Sequence, residues 1–195
     1  NVTSEMGLEL LDVADAIRPY PEVVALLRNV RDDDFLDELA TLPGGQESRD
    51  AIDAWLGKYG MRGVGEIDIT RPRWSERPAA LVPLILGNIR NFAHGEAERR
   101  FRQGLEAART KEEELLQRVR SLPDGDEKAR EVKQMIDRVR TFVGYREYPK
   151  YFLVNRYFAY KQGLVKEADR LVESNVLRDR EDAFFLTFQE LREAV

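Results

Sequence analysis

Two apolar seams separated by one tight turn constrain this chain more than any other feature. Phe101, Leu105, Ala108, Leu115, Val119 and Leu122 recur at spacings of 4, 3, 7, 4 and 3 residues. Beyond Pro123-Asp124-Gly125-Asp126, the residues Ala129, Val132, Ile136, Val139 and Val143 follow at 3, 4, 3 and 4. A seven-residue repeat lines one side of a helix with apolar groups. A Pro-Asp-Gly turn between two such helices folds them back on each other. The pattern predicts an antiparallel helical hairpin over residues 95–145, its first seam interrupted by Glu112. Glu98 with Arg102, Glu114 with Arg118 and Asp126 with Arg130 stand one helical turn apart on the outer faces. Those faces read as solvated helix surface or as a docking surface for a moving domain.

The rest of the chain carries the same helical signal. Leu8, Leu11, Val13, Ala14 and Ile17 form an apolar face that stops at Pro19, and Pro21 suits the first turn of a second short helix. Asp32 to Asp34 can start a third helix, which Pro43-Gly44-Gly45 ends. A fourth runs from about Glu47 to Tyr59. Pro83 opens a fifth, reaching Phe92. After the hairpin, Tyr148-Pro149 opens a long helix whose stripe includes Val154, Tyr157, Leu164, Ala168 and Leu171. Asp179 caps a short segment, and Thr187 with Glu190 forms a capping box for the last helix. The expected fold class is all-α: packed short helices, a long antiparallel hairpin and a closing long helix, over 1–195 as a single helical domain.

Composition excludes several functions. The 195 residues carry 31 basic and 36 acidic side chains, a formal charge of −5, which offers no attractive field to nucleic acid or to an anionic membrane. No apolar run approaches the roughly twenty residues that span a bilayer. Without cysteine there is no disulfide and no thiolate chemistry. The single histidine, His94, has no companion ligands, so it predicts no metal site and reads as an exposed junction residue. With one histidine no Ser-His-Asp arrangement presents itself, and no P-loop is present. The opening Asn1 and an ending inside a helical pattern lead us to expect a cytoplasmic piece of a larger protein.

The densest chemistry lies in Tyr59-Gly60-Met61-Arg62-Gly63-Val64-Gly65-Glu66-Ile67-Asp68-Ile69-Thr70-Arg71-Pro72-Arg73-Trp74. Glycine permits close backbone approach, and the charges of Arg62, Glu66, Asp68 and Arg73 can pair as the segment crosses an interior. The segment is expected to be extended. Its charged set reads in two ways: contact with a substrate hydroxyl or phosphate, or a buried network that fixes the loop. Trp55, Tyr59, Met61 and Trp74 bracket it, and seven aromatic rings fall between Tyr145 and Tyr160. Such rings serve as core or as the wall of an amphipathic pocket.

This run resembles one family, the rifampin phosphotransferases, relatives of phosphoenolpyruvate synthase and pyruvate phosphate dikinase. Glu5-Met6-Gly7-Leu8-Glu9-Leu10-Leu11-Asp12-Val13-Ala14-Asp15, Leu81-Val82-Pro83-Leu84-Ile85-Leu86, Arg146-Glu147-Tyr148-Pro149-Lys150-Tyr151, Val154-Asn155-Arg156-Tyr157 and Leu186-Thr187-Phe188-Gln189-Glu190-Leu191 are similar to the same family. The resemblance implies a part of the central, drug-binding domain. It implies an antibiotic-resistance enzyme that uses ATP with magnesium, and an ATP-grasp domain that loads a histidine on a swivelling domain. That histidine phosphorylates an ansa-bridge hydroxyl of a rifamycin, the partner molecule held by the central domain. It further implies that ATP and magnesium are not bound by these residues, that His94 is not the phosphorylated histidine, that no catalytic residue lies here, and that these residues alone are inactive. Trp55, Tyr59, Met61 and Val64 are then the expected substrate-binding residues, with Arg62, Glu66, Asp68 and Arg73 as the supporting network. A structural linker, or the acceptor domain of another dikinase-type enzyme, is the alternative.

Overall fold

The computed structural model describes residues 1–194, whose regular elements are all helices, with no strand among them. The helices are α1 (Val2–Ile17), α2 (Pro21–Leu27), α3 (Phe35–Leu39), α4 (Gly45–Tyr59), α5 (Val82–Asn91), α6 (Glu96–Arg120), α7 (Gly125–Phe142), α8 (Glu147–Glu173) and α9 (Phe188–Ala194). The all-α expectation is therefore met, down to Pro21 and Pro83 in the first turns of their helices. Within the stretch read as one helical domain, contacts group the chain into two compact units. One is Asn1–Trp55 with Ala79–Pro149; the other is Leu56–Pro78 with Lys150–Val195.

The first unit is built on α1. The Asn1 side chain accepts the Ser4 N–H at 3.0 Å and starts the helix. Ile17, Val23, Leu27, Leu39, Ile52, Leu81 and Ile85 are all but sealed from water and form the core. Polar ties fix the helix ends. Arg18 pairs with Asp15 at 3.0 Å and donates to the Ile89 carbonyl at 2.6 Å. The other Asp15 oxygen accepts the Gly95 N–H at 2.7 Å, so the end of α1 holds the start of α6.

The α6–α7 hairpin belongs to this unit, and its seam differs from the heptad reading. Leu116 and Ala129 are buried, whereas Leu115, Leu122, Val139 and Val143 are exposed. A straight helix of 3.6 residues per turn carries its contact face through Ala108, Glu112, Leu116 and Val119 rather than along a strict seven-residue repeat. Phe101 and Leu105 instead border an apolar groove of about 570 Å³ with Leu8, Leu11 and Phe92. Glu112, which read as an interruption, sits in the interface and takes Lys133 and Arg140 of α7, each at 3.1 Å. A charged residue at such a position fixes register at some expense of stability. On the outer faces Glu98 pairs with Arg102 as expected, while Glu114 takes Lys111.

The second unit joins the last turn of α4 and the loop after it to α8 from Lys150 onward, a short 3₁₀ turn (Arg180–Phe185) and α9. Both expected caps form: Asp179 accepts the Glu181 N–H at 3.1 Å, and Thr187 and Glu190 bond reciprocally at 2.8 and 3.2 Å. Val154, Ala168 and Leu171 are the buried residues of the α8 stripe in this unit.

Removing the Glu112 carboxylate should loosen the hairpin. Glu112→Ala is expected to cost about 1 kcal/mol, a fall of about 2–4 °C in thermal midpoint. Glu112→Leu should recover most of that loss, because Lys133 and Arg140 are exposed enough to return to water. A midpoint unchanged in the alanine variant contradicts the seam assignment.

Candidate functional site

The loop after α4 is a stack of turns rather than the expected extended segment. Its two arms are stitched by the Trp74 N–H on the Arg62 carbonyl and the Ser75 N–H on the Gly60 carbonyl, both at 2.9 Å. Two glycines make this closure possible. A Cβ on Gly60 would lie 2.4 Å from the Leu56 carbonyl oxygen, and one on Gly63 would lie 2.8 Å from the Pro72 carbonyl oxygen. In an extended segment Glu66 and Asp68 would share a face. The turns send Glu66 inward and leave Asp68 exposed.

Glu66 is the electrostatic centre of the loop. Both of its oxygens accept from Arg62, at 2.6 and 2.8 Å, in a fork-to-fork pair buried on both sides. Lys150 of α8 adds a second cation at 2.9 Å. Burial pushes the Glu66 carboxyl up, but hydrogen bonds from Arg62 and Lys150, the Arg62 charge and the Gly63 N–H outweigh it and hold it below the ordinary value. A parallel tie lies further along: the buried Lys161 ammonium of α8 donates to Glu76 at 2.7 Å and to the Arg71 carbonyl at 2.9 Å.

Asp68 and Arg73 do not join this network as paired side chains. The Asp68 carboxylate accepts from the Thr70 hydroxyl and N–H, which hold it below its usual range, and faces Arg71. Arg73 is 1% exposed and donates one Nη to the Asp68 carbonyl at 3.2 Å. Its Nε and other Nη are buried with no hydrogen-bond partner among the described residues. Arg73 thus pins the Asp68 backbone and leaves two donors unanswered.

Of the expected substrate-binding residues, Trp55, Tyr59 and Met61 are buried, while Val64 is 86% exposed. The Trp55 indole N–H donates to the Met6 carbonyl at 3.1 Å, a core role in the first unit. An open concave surface of the second unit lies elsewhere. It is a cavity of about 840 Å³ with apolar walls from Ile67, Ile69, Leu164 and Phe188. Tyr157, Tyr160 and Glu167 supply its polar groups. Tyr157, Tyr160, Leu164 and Glu167 stand 3, 4 and 3 residues apart, which puts them on one face of α8. That spacing was visible in the sequence, but the apolar stripe of the same helix masked it. His94 is exposed. Among the described residues no group of three or more acidic or histidine side chains is placed to hold a metal ion. None of the described helices is long and apolar enough to cross a membrane.

A family model for the rifampicin phosphotransferase fourth domain matches residues 1–147. The chain belongs to the rifampicin phosphotransferase family. Over all 195 residues it is 67% identical to the rifampicin phosphotransferase of Streptomyces sviceus. It is 60% identical to those of Bacillus cereus and Bacillus subtilis. The whole chain is covered in each case, and it spans 22% of the length of these relatives. The α8 face of the cavity lies beyond the family-model match but inside these longer alignments.

Leaving Glu66 without Arg62 should be costly. Arg62→Met is expected to destabilise by about 3 kcal/mol, and the double variant Arg62→Met/Glu66→Leu to recover most of it. Additive losses in the double variant would mean the two do not act as a pair. The sign of the acid response also follows. A carboxyl held below its unfolded value of about 4.3 contributes fully above that pH, and the contribution is lost as pH falls through the folded value. Urea unfolding of Glu66→Gln should therefore show a shallower loss of stability between about pH 5 and 2 than the unsubstituted protein. Parallel curves would contradict this.

Proposed function

We propose that this chain is the rifamycin-holding part of an ATP-dependent rifampicin phosphotransferase, and that the cavity of the second unit is where the drug rests. The single observation that carries this is the cavity's size and lining, four apolar walls with two phenols and one carboxylate. Ligand sites are concave, mostly apolar and oriented by few polar groups, at volumes of about 300–1,000 Å³. An ansamycin needs such a place: a broad apolar macrocycle with scattered hydroxyls. The family relationship supplies the direction, since the relatives are named for rifampicin.

In this reading the residues position and do not react. A phosphoryl group arrives from a phosphohistidine on another domain, the P–N bond breaks, a P–O bond forms to an ansa hydroxyl, and the hydroxyl proton leaves. ATP and water are consumed and AMP and phosphate released elsewhere in the enzyme, in the cytoplasm where ATP is supplied, with magnesium on the nucleotide. Holding the hydroxyl in line is a large part of what a protein can offer phosphoryl transfer. Phosphorylation of the drug would inactivate it and confer resistance. Arg62, Glu66 and Arg73 serve by shaping the loop that presents Ile67 and Ile69. Val64, exposed on the same loop, keeps its place as a candidate contact, while Trp55, Tyr59 and Met61 form the packed framework of their units.

Ile67 is 57% exposed, so a charge there need not unfold the protein. In the intact enzyme, Ile67→Asp is expected to lower kcat/KM for rifampicin by about tenfold or more, since it puts a charge in an apolar wall. ATP-driven phosphorylation of the histidine should be unchanged. Unaltered drug turnover would refute the placement.

A further inference from the structure

We propose that the cavity of the second unit selects a ligand carrying a protonated amine, with Glu167 as the residue that sets this preference. The inference rests on the cavity being the drug site and adds what kind of group sits at its α8 end.

Three observations carry it. First, Glu167 is the one charged side chain among the described residues that line the cavity, and no cation shares the lining with it. Second, only one of its oxygens is engaged among the described residues: Oε1 accepts from Arg170 at 2.7 Å, while Oε2 has no partner among them. Its side chain is 33% exposed and Arg170 is 60% exposed, so the pair is loose and water-facing on the Arg170 side. A free carboxylate oxygen beside apolar walls is satisfied by a donor, best by a cation. Third, two phenol rings stand on the same face of α8, about two and three turns before Glu167, and Phe188 adds another ring. Aromatic faces attract ammonium groups, and combining them with a carboxylate is the chemistry by which proteins recognise amines. A neutral hydroxyl would gain from the carboxylate alone. A protonated amine gains from carboxylate and rings together.

Two ansamycins provide the probes. Rifampicin carries a basic piperazine, and rifamycin SV has the same macrocycle without it. Calorimetric titration of each into the intact protein near neutral pH reads the preference directly. Rifampicin is expected to bind about fivefold or more tighter. Glu167→Gln should bring the two ligands to within about twofold of each other, by removing the charge while keeping the shape. Arg170→Gln, which frees Oε1 and removes a competing cation, should widen the gap. Equal affinities in the unsubstituted protein, or a gap that survives in Glu167→Gln, overturn the inference while leaving the drug site standing. If neither ansamycin binds, the drug-site reading fails and this inference with it.

Discussion

A carboxylate cut off from water must be neutralised where it stands, and Glu66 is neutralised from two directions. Arg62, four residues earlier, grips both oxygens, and Lys150 reaches in from the opposite segment of the same unit. Such a buried arrangement adds little net stability over an apolar packing but penalises every alternative geometry, because each alternative strands a charge. For a loop without helix or strand hydrogen bonds, that penalty selects one conformation. The turns between residues 64 and 71 follow from it, and they place Ile67 and Ile69 in a cavity wall.

The far end of the loop is secured by the same physics with the signs exchanged. Lys161 is a buried cation, and Glu76 with the Arg71 carbonyl answers it. Glu76 also accepts the Arg73 N–H at 2.8 Å and a Gln162 amide at 3.1 Å. Between these two anchors Arg73 holds the Asp68 carbonyl with a single donor. A guanidinium tolerates this better than an ammonium, because its charge is spread and more weakly hydrated. Its two unanswered nitrogens are an uncommon feature of a native interior.

The first unit distributes its polar groups differently. Glu112 sits within the hairpin interface and answers two cations that keep partial access to water. The penalty for a wrong register is smaller there than at Glu66, and small residues such as Ala129 allow the helices to approach. The exposed apolar residues at the base of the hairpin, including Phe101 and Leu105, border a groove rather than filling the seam.

The helices and their ends were written in the local sequence, because caps, prolines and apolar periodicity act within a few residues. Pro21, Pro83, Asp179 and Thr187 mark boundaries for this reason. The Arg62–Glu66 pair was also legible as charge crowded among glycines, though its turned shape was not. Three things were settled only by the folded chain: that Met61 and Tyr59 are buried, that Leu116 replaces Leu115 in the seam, and that Lys150 and Lys161 meet a loop some ninety residues away. Each depends on which groups are removed from water together. A chain's local pattern states what a residue can do, but burial and long-range pairing arise only when distant segments compete for the same interior.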